Sequence, residues 1–290
     1  MSASKDGNKD GKDWSADQYL KFNDERTRAV HDLVHRVPLP GGRFPLSDKK
    51  GDAPLRIIDL GCGPGNSTAV LAERFPGAQL SGVDSSPNMI AKAKATLPNI
   101  DFGLADLRTY APEPGANLLL ANAVFQWLSL PERLPTILRL FETLPSGGVF
   151  AYQMPDNKAE RTHQAIREVA RHEAPGTSAS DPWVATLSQL HDRDPIETPE
   201  QIYDALIPHS ASVDVWHAVY NHVLAGGPRD IVEWMRGTGL QPWVNALPDE
   251  ATKQAFLAAY ERRLGELYDR RVDGSVIIHY PRLFVVAVKK

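Results

Sequence analysis

The 290-residue sequence has one cysteine, Cys62, so no intrachain disulfide can form, and a reducing compartment is expected. No apolar run reaches the length of a membrane span. The polar N-terminus lacks the apolar core of a signal peptide, and Val-Lys-Lys at the C-terminus is no peroxisomal or retention signal, so a cytoplasmic protein is expected. Lys and Arg total 32 against 36 Asp and Glu, a net charge of −4. A nucleic acid or a membrane surface is therefore not an expected partner, and an anionic ligand has to be drawn by local cations. H-E-x-x-H, C-x-x-C and G-x-S-x-G are all missing, which leaves a metallohydrolase or a serine esterase without support. Cys62 has no partner at metal-ligand spacing, and no metal is expected.

The segment Arg56-Ile-Ile-Asp-Leu-Gly-Cys-Gly-Pro-Gly-Asn-Ser-Thr68 stands out. Ile57, Ile58 and Leu60 read as a buried parallel strand. Gly61, Gly63 and Gly65 follow, and Asn66, Ser67 and Thr68 offer helix N-caps. A strand, a glycine turn and a helix let a ligand approach bare backbone at the carboxyl end of a sheet. The G-x-G-x-G spacing differs from the G-x-G-x-x-G dinucleotide fingerprint, and no Lys-Ser/Thr ending makes it a P-loop.

Residues 1–13 carry no large apolar side chain and read as a disordered tail. A helix is expected from Ser15 through Val34, followed by a surface loop over 38–54. Further strands are expected at Gln79–Asp84, Ile100–Leu107, Asn117–Asn122, Val149–Met154, Val213–His222 and Arg282–Val288, with helices between them. Asp84, 19 residues beyond Gly65, closes the second strand where an acid commonly accepts hydrogen bonds from ribose hydroxyls. Between the last two strands lies a mostly helical stretch. The expected fold is α/β, a mostly parallel Rossmann-like sheet in one domain over 14–290, with a helical cap from about 14–37, 156–200 and 225–280.

An aspartate, Asp59, ahead of G-x-G-x-G resembles motif I of the class I S-adenosylmethionine-dependent methyltransferases. The resemblance implies that cofactor and an antiparallel last strand. Asp59 would orient the methionine ammonium, directly or through water. Gly61, Cys62, Gly63, Gly65 and Asn66 would lie along the amino-acid part, Asp84 and Ser85 at the ribose, and Asp106 and Leu107 at the adenine. Asn122 and Trp127 would stand at the methyl-transfer end. Asn122-Ala123-Val124-Phe125 lacks the Pro-Pro of base and glutamine methyltransferases, which disfavours methylation of amino groups on bases.

From Trp14 onward the chain is similar, more narrowly, to the trans-aconitate methyltransferases. Gln153-Met154-Pro155-Asp156-Asn157, Thr238-Gly239-Leu240-Gln241-Pro242-Trp243 and Pro281-Arg282-Leu283-Phe284 carry that likeness. Gln241 departs from it, standing where a cation is expected. The family implies methyl transfer from S-adenosylmethionine to one carboxylate of trans-aconitate, a small tricarboxylate, giving a monomethyl ester. A carboxylate is already ionised at neutral pH, so no catalytic acid or base is expected. Collinear placement of oxygen, methyl and sulfur carries the step. Tyr19, Arg26, Gln126, Gln153, Arg229, Arg236, His279 and Arg282 are the expected substrate contacts, with Trp127 and Tyr280 as pocket walls. Arg282 and Arg236 lead, because both lie in or beside segments specific to the family, and arginine forks match carboxylates. Three other readings stay open: a different small polycarboxylate, a non-catalytic cofactor-binding protein, and a nicotinamide oxidoreductase using Asp84 on ribose.

Overall fold

A computed structural model describes residues 23–39 and 54–290, with side chains in the first helix from Thr27 onward. The 1–13 tail, Tyr19, the expected helix start at Ser15 and most of the 38–54 loop lie outside the described residues, as does the Arg26 side chain.

The described residues form a seven-stranded sheet in the order β3-β2-β1-β4-β5-β7-β6. Its strands are β1 (Arg56–Leu60), β2 (Gln79–Asp84), β3 (Asp101–Leu104), β4 (Leu118–Asn122), β5 (Val149–Pro155), β6 (Ser210–Leu224) and β7 (Val276–Lys289). The first five pair in parallel, and β7 is antiparallel to both β5 and β6. β4 and β5 are buried along almost their whole length, as expected for apolar strands covered on both faces.

Alternation along these strands sorts their side chains into two cores. Ile57, Leu118, Leu120, Val149 and Ala151 enter one; Ile58, Leu60, Leu119, Ala121, Phe150 and Tyr152 enter the other. The covering helices near the first strands are α1 (Asn23–His35), α2 (Asn66–Arg74), α3 (Pro87–Thr96) and α4 (Leu130–Glu142). Between β5 and β6 come α5 (Arg161–Ala170), α6 (Val184–Leu187) and α7 (Pro199–Leu206). Between β6 and β7 come α8 (Pro228–Arg236), α9 (Gln241–Ala246) and α10 (Glu250–Leu267). Asp249 caps α10 by accepting the Thr252 N–H at 2.8 Å, and α10 packs on α5 and α8. Trp234, Met235, Phe256 and Tyr260 of this insertion share the first core with Leu33 and Val34 of α1 and with the sheet. The insertion is thus packed onto the sheet rather than tethered to it. Among the described residues no helix is long and apolar enough to cross a membrane.

The sheet order reverses between β1 and β4, and the crevice at that switch point opens at the carboxyl ends of the strands.

Candidate functional site

The β1–α2 turn is built on bare backbone. The Gly61 and Cys62 N–H groups both donate to the Val83 carbonyl, at 2.7 and 3.0 Å, which pins the turn to β2. Gly61 has φ +67°, and a Cβ there would sit 2.5 Å from the Val124 side chain, so only glycine fits against the β4 turn. Gly63 has φ +54°, and a Cβ there would meet nothing within 4 Å; it would stand in the cavity that the turn borders.

Asp84 closes β2 and accepts the Gly63 N–H and the Ser86 N–H, each at 2.9 Å. The expected caps of α2 do something else. Gly65, at φ 98°, is the N-cap and provides no side chain, while Ser67 and Thr68 donate to Asp59 Oδ2 at 2.7 and 2.6 Å. Asp59 is fully buried, and its Oδ1 has no partner among the described residues. Loss of water pushes its carboxyl up to about 7, against the pull of the two hydroxyl donors.

A cavity of about 1040 Å³ runs from this turn to the β6–β7 insertion. Of the residues expected at the cofactor, Gly61, Gly63, Asp84, Ser85, Asp106, Leu107, Asn122 and Trp127 line it. Asp59, Cys62, Gly65 and Asn66 do not. Asp59 stands behind the turn, and Cys62 packs against Ile90, Ala93 and Phe102, where burial pushes its thiol up. Asp106 lines the cavity already engaged. Arg108 Nη2 donates to it at 2.6 Å and holds its carboxyl below the ordinary range, so an adenine amine would share that acceptor.

Among the expected substrate contacts, Gln126 and Arg282 line the cavity, with Trp127 and Tyr280 as walls. Arg229, Arg236 and His279 do not. Arg236 is exposed and pairs with Glu233 at 3.2 Å. Trp234 of the same helix faces the cavity, and two residues on is about 200° around an α-helix, which points Arg236 outward. His279 fails by the other periodicity. Along β7, Tyr280 and Arg282 share the cavity side, so His279 takes the opposite face and is exposed. Arg229 is exposed beside Pro228 at the start of α8. Gln153 is fully buried behind the wall, where it bridges Arg282 and Asn122.

Sequence reasoning missed Arg193, Asn157 as a cavity residue, and His163. All three line the cavity, and Arg193 Nη2 donates to Asn157 Oδ1 at 2.8 Å. Among the described residues, neither Arg193 nor Arg282 has a carboxylate within ion-pair distance. Burial lowers the Arg193 guanidinium's affinity for its proton, with neighbouring Tyr280 and Asp192 opposing. Burial first, and then the charges of Arg193 and Arg167, hold His163 well below the ordinary imidazole range, so it stands neutral. The only signal for Arg193 was the charge-rich His191-Asp192-Arg193-Asp194 within a proline-bearing stretch, which reads as a solvated loop. Among the described residues no group of three or more His, Cys, Asp or Glu is placed to hold a metal ion.

Comparison with known proteins agrees with this layout. The family described as "Methyltransferase domain" matches residues 57–148, from β1 to the turn before β5. A Bacillus protein, YcgJ, superposes with a TM-score of 0.51 at 10% identity, covering 92% of this chain and 98% of that one. Far closer in sequence is the trans-aconitate 2-methyltransferase of Agrobacterium fabrum, 46% identical over 279 residues, covering 96% of this chain and 99% of its own. That of Rhodopseudomonas palustris is 45% identical over 278 residues, with the same coverage. At such identity, over sheet and insertion alike, the chain belongs to the trans-aconitate 2-methyltransferase family.

Proposed function

We propose that this chain transfers the methyl group of S-adenosylmethionine to one carboxylate of trans-aconitate, releasing a carboxyl methyl ester in the cytosol. The observation that carries this reading is one cavity lined by two kinds of group. The glycine turn and Asp84 are the first. Two arginines with no carboxylate partner among the described residues, Arg193 and Arg282, are the second. The lone cysteine, free and buried, suits the cytosol. The helices of the insertion act as the cap, a reading supported by Trp234, Thr238, Gly239 and Trp243, which line the cavity together with residues at the strand ends.

The residues present fit S-adenosylmethionine. Gly63 leaves open the space a Cβ would fill, Asp84 offers carboxylate lone pairs to the ribose hydroxyls, and the unpartnered Asp59 Oδ1 suits an ammonium, directly or through water. That cofactor supplies a methyl group on a positively charged sulfur. The chain's part is to hold the acid's oxygen in line and to exclude water. No residue has to take a proton, because the acid arrives ionised, and neutral His163 has no such task. Arg193 and Arg282 would hold the carboxylates that do not react.

Methyl transfer from labelled S-adenosylmethionine to trans-aconitate, cis-aconitate, citrate, isocitrate and itaconate tests the proposal. Selective labelling of trans-aconitate in an alkali-labile product is the expected result. Turnover of another acid would move the substrate, and no turnover despite cofactor binding would remove the activity. Arg282→Ala is expected to raise KM for the triacid about 10- to 100-fold, the value of one charged hydrogen-bonding group, with little change in KM for the cofactor. Arg236→Ala is expected to leave both within about twofold, since an exposed i, i+3 pair is worth little.

A further inference from the structure

Arg193 lines the cavity from residues 190–198, a stretch with no helix or strand of its own. A long side chain on such a stretch loses rotamer freedom when it holds a ligand, unless something has ordered it beforehand. Two consecutive residues just beyond the end of β5 do that. Asn157 Oδ1 accepts from Arg193 Nη2 at 2.8 Å, which holds the head of the side chain. Lys158 Nζ donates to the Arg193 carbonyl at 2.7 Å, which holds its main chain. The ties of Leu130 to Asp194 and of Arg133 to the Pro195 carbonyl hold the following residues instead.

Lys158 is itself held in a closed circuit. Its ammonium lies 3.7 Å from Asp192 Oδ2, and Arg167 Nη1 lies 3.3 Å from the same oxygen. Arg167 Nη2 then donates to the Lys158 carbonyl at 2.8 Å. The circuit also governs charge. Asp192 and Asp156 are the carboxylates whose charge reaches Arg193. Lys158 and Arg167 engage the first, and His217 engages the second at 3.0 Å, so neither is within ion-pair distance of Arg193. We infer that Lys158 is a positioning residue for substrate binding, which fixes Arg193 by its main chain and, with Arg167, keeps Asp192 off its cation. This rests on the proposed function, in which Arg193 holds a carboxylate that does not react. Lys158 is not among the residues lining the cavity, so it acts on the acid through Arg193.

Steady-state kinetics of the full chain with S-adenosylmethionine and trans-aconitate, on a double-mutant cycle of Lys158→Met and Arg193→Met, tests this. Lys158→Met should raise KM for the acid about 5- to 10-fold, the value of one hydrogen bond to a charged group. Its kcat and its KM for the cofactor should stay within about threefold, the pattern of binding lost equally from ground and transition states. Lys158→Arg keeps a cationic donor for the carbonyl and for Asp192, and should return KM for the acid to within about threefold of wild type. In the Arg193→Met background, Lys158→Met should add less than about twofold. An equal rise in both backgrounds would show that Lys158 draws the acid by its charge alone, and would overturn the inference. Unchanged KM for the acid in Lys158→Met or in Arg193→Met would overturn it too, leaving the methyl transfer itself standing. The Lys158 side chain is 35% exposed, so its truncation should be tolerated, and Lys158→Ala replaces the Met variant if that one fails to fold. No turnover by the wild type would overturn the proposed function and the inference with it.

Discussion

Glu197→Ala is expected to lower the unfolding free energy by about 3–5 kcal/mol, the usual cost of leaving one member of a buried ion pair alone. Arg133 on α4 is fully buried, and Glu197 is 4% exposed. The guanidinium donates to the Phe125 carbonyl at 2.9 Å, the Leu128 carbonyl at 2.9 Å, the Pro195 carbonyl at 2.9 Å and Glu197 Oε2 at 3.0 Å. Every link is a donor fork filled by an acceptor. Arg133 thereby ties the turn after β4, which carries Gln126 and Trp127, to the loop after Arg193. The first segment lines the cavity, and the second follows directly on the Leu190–Arg193 stretch that does, so the loss should reach function as well as stability. Denaturant unfolding would measure the first effect and KM for the acid the second. A change below about 1 kcal/mol would mean that the pair is not closed to water.

Local chemistry was legible in the sequence wherever one segment settles it. The β1 apolar run, the glycine turn and Asp84 at the end of β2 are set by neighbours within a few residues. Ser67 and Thr68 show where such reading fails. Their types suit an N-cap, but a buried carboxylate eight or nine residues back needs donors more than the helix end does. Arg236 and His279 failed for a simpler reason. Membership in a family-specific segment says nothing of which side of a helix or strand a residue takes, and Trp234 and Tyr280 had already claimed the cavity sides. Arg193 was out of reach altogether. Its role depends on a loop between β5 and β6 folding back on Asn157, a long-range contact with no local periodicity.

The apoprotein of Asp59→Asn should be more stable than the wild type at pH 8 and about equal to it at pH 4. In the folded chain the Asp59 carboxyl titrates at about 7, against 3.8 as its ordinary value. A raised value means that the folded state holds a proton which the unfolded chain releases. The stability that this proton confers is complete below about pH 4 and is lost as pH rises through 7. The difference corresponds to about 4 kcal/mol for a group buried this fully. Asparagine cannot ionise and keeps an oxygen for Ser67 and Thr68, so its advantage should grow between pH 4 and 7 and then level off. A cation brought to Oδ1 reverses the balance. Binding of S-adenosylmethionine at pH 6.5 should release about three quarters of a proton from the wild type, read as a dependence of the calorimetric heat on buffer ionisation enthalpy. Asp59→Asn should lose that release and bind at least about tenfold more weakly. A variant that is no more stable at pH 8, yet binds the cofactor normally with the same proton release, would show that Asp59 only braces the turn. The expected pairing of higher apoprotein stability with weaker binding instead marks a buried acid kept at a cost to the fold because the ligand's charge needs it.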